Sequence, residues 1–147
     1  MPRQVLICFN PAAGKGKSKK ILDDLLGYTK SHSINCAVFE TSKDESVLQR
    51  ALSGIDLMQF AAVIAIGGDG VVHQLLQLLN GLDLGLYIIP AGTGNDFART
   101  NKLLTVTPAE IFERIFESEA ETIDLGVIAY GAKKRFFGQI LSTGFDA

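Results

Sequence analysis

The sequence predicts an α/β fold built on a mostly parallel sheet with helices on both faces. Short, continuously apolar runs alternate with stretches whose apolar residues recur every three or four positions, and Asn10-Pro11, Gly67-Gly68 and Pro90 punctuate them. Strands apolar on both sides belong to sheets covered on both faces. Parallel strands also need crossovers, and right-handed crossovers lay helices on those faces.

The first predicted strand is Gln4–Phe9 (QVLICF), stopped by the turn at Asn10-Pro11. From Ser18, placed as a cap, Ile21, Leu22, Leu25 and Leu26 follow helical spacing with Lys and Asp opposite them. Asn35–Glu40 reads as a second strand, residues 44–52 as a helix with Val47, Leu48 and Leu52 inward, and residues 60–66 (FAAVIAI) as a third strand. A third helix is predicted over 71–79 and a fourth strand over 85–89, closed by Pro90. Pro108 opens a further helix with Ile111, Phe112, Ile115 and Phe116 on one face, since proline suits a first helical position. The rhythm then breaks: 122–130 and 135–142 are two extended runs joined by Gly131-Ala132-Lys133-Lys134, a hairpin signal. The last residues, 142–147, carry no stop signal, so the chain is expected to end in mid-structure.

At 147 residues the chain has the size of about one domain. A hydrophobic share of 47% against 20% charged is a globular balance, and the formal charge of -2 gives no basic field for nucleic acid or an anionic bilayer. Anions must therefore be caught locally. The basic clusters are Lys15, Lys17, Lys19 and Lys20, then Lys133, Lys134 and Arg135, the second reading as a solvated face. Cys8 and Cys36 lack any partner at metal or redox spacing and read as buried thiols in a reducing compartment. No run reaches the roughly 18–20 apolar residues of a membrane span, and no signal-peptide pattern opens the chain, so a cytoplasmic protein is expected.

Ligands of parallel sheets bind at the carboxyl ends of the strands, which directs attention to the loops after Phe9, Glu40, Ile66 and Ile89. Gly67-Gly68-Asp69-Gly70 lies between a strand and a helix; its glycines allow positive φ and close backbone approach, so that N–H groups can face a phosphate at a helix N-terminus. The bland alternative is a tight strand-to-helix turn. Asp69 does not suit a loop that only cradles phosphate, unless it holds Mg²⁺ or handles a proton; otherwise it caps the next helix. In Pro90-Ala91-Gly92-Thr93-Gly94-Asn95-Asp96-Phe97-Ala98-Arg99, Gly92 and Gly94 bracket a hydroxyl, and Asn95-Asp96 add two polar groups at the start of a helical turn. Two such loops in the same register make a nucleotide site the preferred reading. The first loop ends Gly16-Lys17-Ser18, but Pro11 stands where a P-loop needs its first glycine, and no G-x-G-x-x-G pattern occurs. It remains a small-residue loop with lysines nearby. Thr41 offers a hydroxyl or a helix cap, and His73 has no partner at metal-ligand spacing.

Taken together, Asn10-Pro11 with Gly14 and Gly16, Thr41, Gly67–Gly70, Asn80-Gly81-Leu82 and Pro90–Arg99 resemble the diacylglycerol kinase catalytic domain, whose superfamily also holds sphingosine, ceramide and bacterial lipid kinases. The resemblance implies a phosphofructokinase- and NAD-kinase-like three-layer domain and an ATP-dependent lipid kinase using Mg²⁺. It implies ATP contacts at Asn10, Pro11, Ala12, Ala13, Gly14, Thr41, Gly67, Gly68, Asp69, Gly70, Val71, Val72, His73 and Thr93, with Gly92 and Asn95 beside them and Asp69 and Asp96 in catalytic roles. The metal ligands are not identified, because the family carries its structural metal ligands and general-base Glu on a second, β-sandwich domain. Residues 1–130 would then be the nucleotide-binding domain and 131–147 the incomplete start of the second, with Gly144-Phe145-Asp146-Ala147 resembling its opening segment. The lipid would be met at a membrane surface by a peripheral enzyme, with a homodimer as the expected assembly. Two departures stand out: Val71 and Gln74 replace the family's Thr and Glu, and Asn80-Gly81-Leu82 sits about one turn late. The alternatives are an NAD kinase, which shares Gly-Gly-Asp-Gly and the fold, and a nucleotide- or lipid-binding regulator without turnover.

Overall fold

The structure, a computed structural model, describes residues 4–100 and 107–138. Its main sheet holds four parallel strands, β1 (Gln4–Phe9), β2 (Asn35–Glu40), β3 (Ala62–Gly67) and β4 (Gly85–Pro90), in the order β2-β1-β3-β4. The strand after β1 lies to one side of it and the next two to the other, so the chain changes direction across the sheet between β1 and β3. Such a switch point opens a crevice at the carboxyl ends of those two strands.

The helices are α1 (Lys17–Ser31), α2 (Glu45–Leu52), α3 (Asp69–Leu79), the short α4 (Asp96–Thr100) and α5 (Pro108–Glu117). Alternation along each strand divides the core in two. Leu6, Cys8, Val63 and Ala65 pack under Leu48 and Leu52 of α2 and Val72, Leu75 and Leu79 of α3. Val5, Ile7, Ile64 and Ile66 pack under Leu22 and Leu25 of α1 and Ile111 and Phe112 of α5. The result is the three-layer α/β arrangement that the sequence predicts, with β1 and β3 almost wholly buried. Each fully buried Leu or Ile contributes about 1.5–3 kcal/mol, so the loops at the strand ends stand on a rigid base.

Several local expectations change. Ser18 does not cap α1: Gly16 holds the cap position in a left-handed conformation, and the Ser18 side chain is buried. Asp44, not Thr41, caps α2, its carboxylate accepting from the Ser46 N–H at 2.9 Å. Val47 is 37% exposed rather than inward. Cys8 is buried, its thiol pushed up to about 12 by that burial, whereas Cys36 is only half-buried. β3 starts at Ala62 rather than residue 60, because Phe60 closes the preceding helical turn through its N–H to the Leu57 carbonyl at 3.2 Å. α3 begins two residues earlier than its apolar pattern, because the Val71 and Val72 amides both reach the Gly68 carbonyl, at 3.2 and 3.4 Å.

The hairpin pairs β5 (Gly126–Tyr130) with β6 (Lys133–Phe137), antiparallel, and the expected domain boundary falls in its turn. Residues 122–125 are not strand. Continuing the register would pair them with 138–141, of which 139–141 lie outside the described residues, as does the segment 142–147.

Candidate functional site

The first loop is organised by Asn10. Its N–H donates to the Ile66 carbonyl at 3.1 Å, fastening the end of β1 to β3. Its side-chain Oδ1 accepts from the Ala12 N–H at 3.0 Å, the self-closing turn to which Asn is suited. Its carbonyl accepts from the Ala13 N–H at 3.0 Å and from the buried Ser18 hydroxyl at 2.7 Å. Gly14 then takes a φ of 63° and lies so close to the third loop that a Cβ there would overlap the Ala91 carbonyl oxygen.

The second and third loops touch along their backbones. Ala91 donates its N–H to the Gly67 carbonyl at 2.8 Å, and a Cβ on Gly92 would stand 2.6 Å from the Gly68 Cα. This corrects the expected reason for the glycines: Gly68 has φ -103°, and none of Gly67, Gly68 and Gly70 has positive φ. At Gly67 and Gly68 close approach, not left-handed backbone, disfavours a side chain. Among the described residues no atom lies within 4 Å of where a Gly70 Cβ would stand, so none of them covers that side of the first turn of α3.

Asn95 is the residue of the third loop that does adopt a left-handed conformation, with φ 55°. Its amide folds back on the loop, accepting from the Gly92 N–H at 3.0 Å and donating to the Gly92 carbonyl at 2.7 Å. Asp69 does not cap its own helix, whose cap position is Gly68 without a side-chain bond. Its Oδ2 instead accepts from the Asp96 N–H at 3.0 Å and braces the glycine turn against the start of α4. The Asp96 carboxylate, more than half exposed, pairs with Arg99 at 3.2 Å, and Arg99 also donates to the Gly94 carbonyl.

Asn10, Gly14, Gly67, Gly68, Asp69, Gly92, Asn95 and Asp96 are thus gathered at the carboxyl ends of β1, β3 and β4. Pro11 and Ala12 are exposed on the first loop, Ala13 is buried in it, and Thr93 is exposed on the third. Five other residues singled out in the sequence are placed away from these loops or turn their side chains elsewhere. Thr41 is buried, and its N–H serves the Phe9 carbonyl at 2.8 Å. Val71 and Val72 pack into the core and leave only backbone for a ligand. His73 turns to the hairpin, where its Nε2 lies 2.8 Å from an Arg135 nitrogen. Gln74 donates Nε2 to the Ser42 carbonyl at 2.6 Å, tying α3 to the loop after β2, a donation that a carboxylate could not make. Its Oε1 is buried without a hydrogen-bond partner among the described residues.

Sequence reasoning missed the tie from Ser18 to the first loop and the Arg99 brace, since both join residues whose partners only folding brings near. Among the described residues no three His, Cys, Asp or Glu side chains gather into a metal centre, and no helix is long and apolar enough to cross a membrane. An Mg²⁺ travelling with a nucleotide needs only one or two carboxylates besides phosphate oxygens, which Asp69 and Asp96 could supply from their two loops.

The family model for the diacylglycerol kinase catalytic domain matches residues 4–128. A diacylglycerol kinase of Mycobacterium tuberculosis (strain ATCC 25618 / H37Rv) is 36% identical over 139 residues, covering 94% of this chain and 45% of that protein. A sphingoid long chain base kinase 4 of Schizosaccharomyces pombe is 27% identical, over 91% of this chain and 31% of its own. A crystal structure of a diacylglycerol kinase from Bacillus anthracis str. Sterne superposes with a TM-score of 0.57 at 25% identity, over 78% of this chain and 40% of that one. The chain therefore spans less than half the length of these relatives.

Proposed function

Because the chain belongs to the diacylglycerol kinase catalytic domain family, we propose that the protein transfers the γ-phosphate of ATP to the hydroxyl of diacylglycerol or a related lipid. Residues 1–130 supply the nucleotide-binding walls of that enzyme. The observation that carries this reading is the meeting of three glycine-bearing loops at the switch point between β1 and β3, beside a first turn of α3 that no described residue covers at Gly70. Phosphate suits that place, since the first N–H groups of a helix have no partners within the helix and face outward.

In this reading Asn10–Gly14 and Thr93 lie along the nucleotide, and the backbone of Gly68, Asp69 and Gly70 receives its phosphates. Asp69 and Asp96 would hold an Mg²⁺ that travels with the nucleotide, which would supply charge neutralisation to the transferred phosphate. Asp69, held by the Asp96 N–H, keeps a carboxylate oriented beside that phosphate. The lipid oxygen forms a bond to the γ-phosphorus as the bond to the bridging oxygen of ADP breaks. The hydroxyl proton passes to a base that the family resemblance assigns to the second domain. The lipid is presented at a membrane surface, to which the enzyme binds peripherally.

The test is transfer of labelled phosphate from ATP by the full-length protein to diacylglycerol in mixed micelles, with a sphingoid base and NAD as competing acceptors. Lipid becomes labelled, and Asp69→Asn lowers kcat by about 100-fold or more while the KM for ATP moves little. Label in NAD and none in lipid would overturn the assignment.

A further inference from the structure

A two-stranded hairpin is marginal in water by itself, so β5 and β6 owe their order to what they rest on. Apolar burial explains only part of it, since Val127 and Tyr130 are 54% and 53% exposed while Ile128, Phe136 and Phe137 are half-buried. The contacts that fix the hairpin are polar and specific. Gln77 spends both ends of its amide on one residue, donating Nε2 to the Phe136 carbonyl at 2.7 Å and accepting the Phe136 N–H at 2.9 Å. A helix side chain thereby takes the place of a neighbouring strand on the outer edge of β6. One residue away, Arg135 pairs with Glu45 at 2.7 Å and donates to His73 Nε2 at 2.8 Å. His73 and Gln77 are four apart and share one face of α3. Glu45 opens α2.

We infer that Glu45, His73, Gln77 and Arg135 form a latch that sets the hairpin against α3, making Gln77 and Arg135 positioning residues for the reaction at the glycine turn. The link is short. α3 begins at Asp69, whose carboxylate is fixed in the site, and His73 follows one turn later on the same rigid helix. The same stretch of α3 reaches the loop after β2 through Gln74, so three segments at the crevice share one helix as their reference. The joint thereby sets where β6 stands relative to the glycine turn. The joint is also releasable, because half-exposed ion pairs contribute little individually and a handful of polar bonds can be given up together.

This positioning role rests on the kinase reading, and the test separates the two. In the full-length protein, Gln77→Leu and Arg135→Met are compared with wild type by amide exchange over 126–137 and by steady-state phosphorylation of diacylglycerol. The latch predicts exchange of the β5 and β6 amides faster by about tenfold or more in both variants. It also predicts kcat lower by about tenfold with KM for ATP within about threefold, since misplacement costs turnover more than nucleotide binding. Arg135→Lys, keeping the charge, recovers part of the loss. Unchanged exchange in both variants overturns the latch, and faster exchange with unchanged kcat overturns its positioning role. Should wild type phosphorylate no lipid, the kinase reading and the positioning role both fall, and exchange alone still decides whether the latch exists.

Discussion

Residues decide the shape of the crevice through close backbone contact. The glycines of the three loops were legible as a group, since Gly-Gly-Asp-Gly and Gly-Thr-Gly each follow an apolar strand. Their individual reasons were not, because whether a glycine answers to φ or to a neighbour depends on a loop distant in sequence. Gly14 needs a positive φ, whereas Gly68 and Gly92 need each other's lack of a side chain. Ser18 was misjudged for a related reason. Its place beside Gly16 and Lys17 suggested a cap, yet it is wholly buried and donates to Asn10. Ser18→Ala should therefore cost about 1–2 kcal/mol, since the Asn10 carbonyl loses a buried donor. Urea denaturation measures this, and a loss no larger than that of an exposed serine on the same helix, such as Ser31, would show that the bond carries no weight.

Secondary-structure elements followed their patterns closely, because strand runs apolar on both sides and helices with one apolar stripe leave few alternatives. The helix opened by Pro108 gained a signal that had gone unread: Thr107 and Glu110 form a capping box, each satisfying the other's backbone N–H. What no local pattern contained is how elements join, and the hairpin latch is the clearest case. The hydrogen bond from Arg135 holds the Glu45 carboxyl below its ordinary range. Released from the hairpin, Glu45 would take up a proton at higher pH than it does when docked. Docking is therefore complete above the ordinary carboxylate range and is lost as pH falls through the lowered value. His73 faces the same pair, its Nε2 lying 3.7 Å from the Glu45 carboxylate. The amide resonance of Phe136, followed by NMR as pH is lowered, should report release in acid. In Glu45→Gln the dependence should flatten, and an acid transition identical to wild type would remove Glu45 from the latch.

At the scale of the whole molecule, the fold class and the parallel sheet followed from alternation, and the strand-end loops pointed to where the candidate site residues gather. The strand order did not. It emerges from which crossovers the two cores accept, and it alone puts the Asn10 and Gly67 loops side by side at the switch point. The chain spans 45% of the Mycobacterium tuberculosis relative, so phosphoryl transfer is proposed for the full-length protein and nucleotide binding for residues 1–130. The central claim is that three converging loops form a phosphate-binding crevice, and titration calorimetry of residues 1–147 with Mg-ATP tests it most directly. The account predicts saturable one-site binding, with a Kd on the order of 1 mM or tighter. In Gly92→Val that binding disappears although cooperative thermal unfolding remains, because the side chain forces the second and third loops apart. No binding by the folded wild-type chain, or equal affinity in a folded Gly92→Val variant, would contradict it.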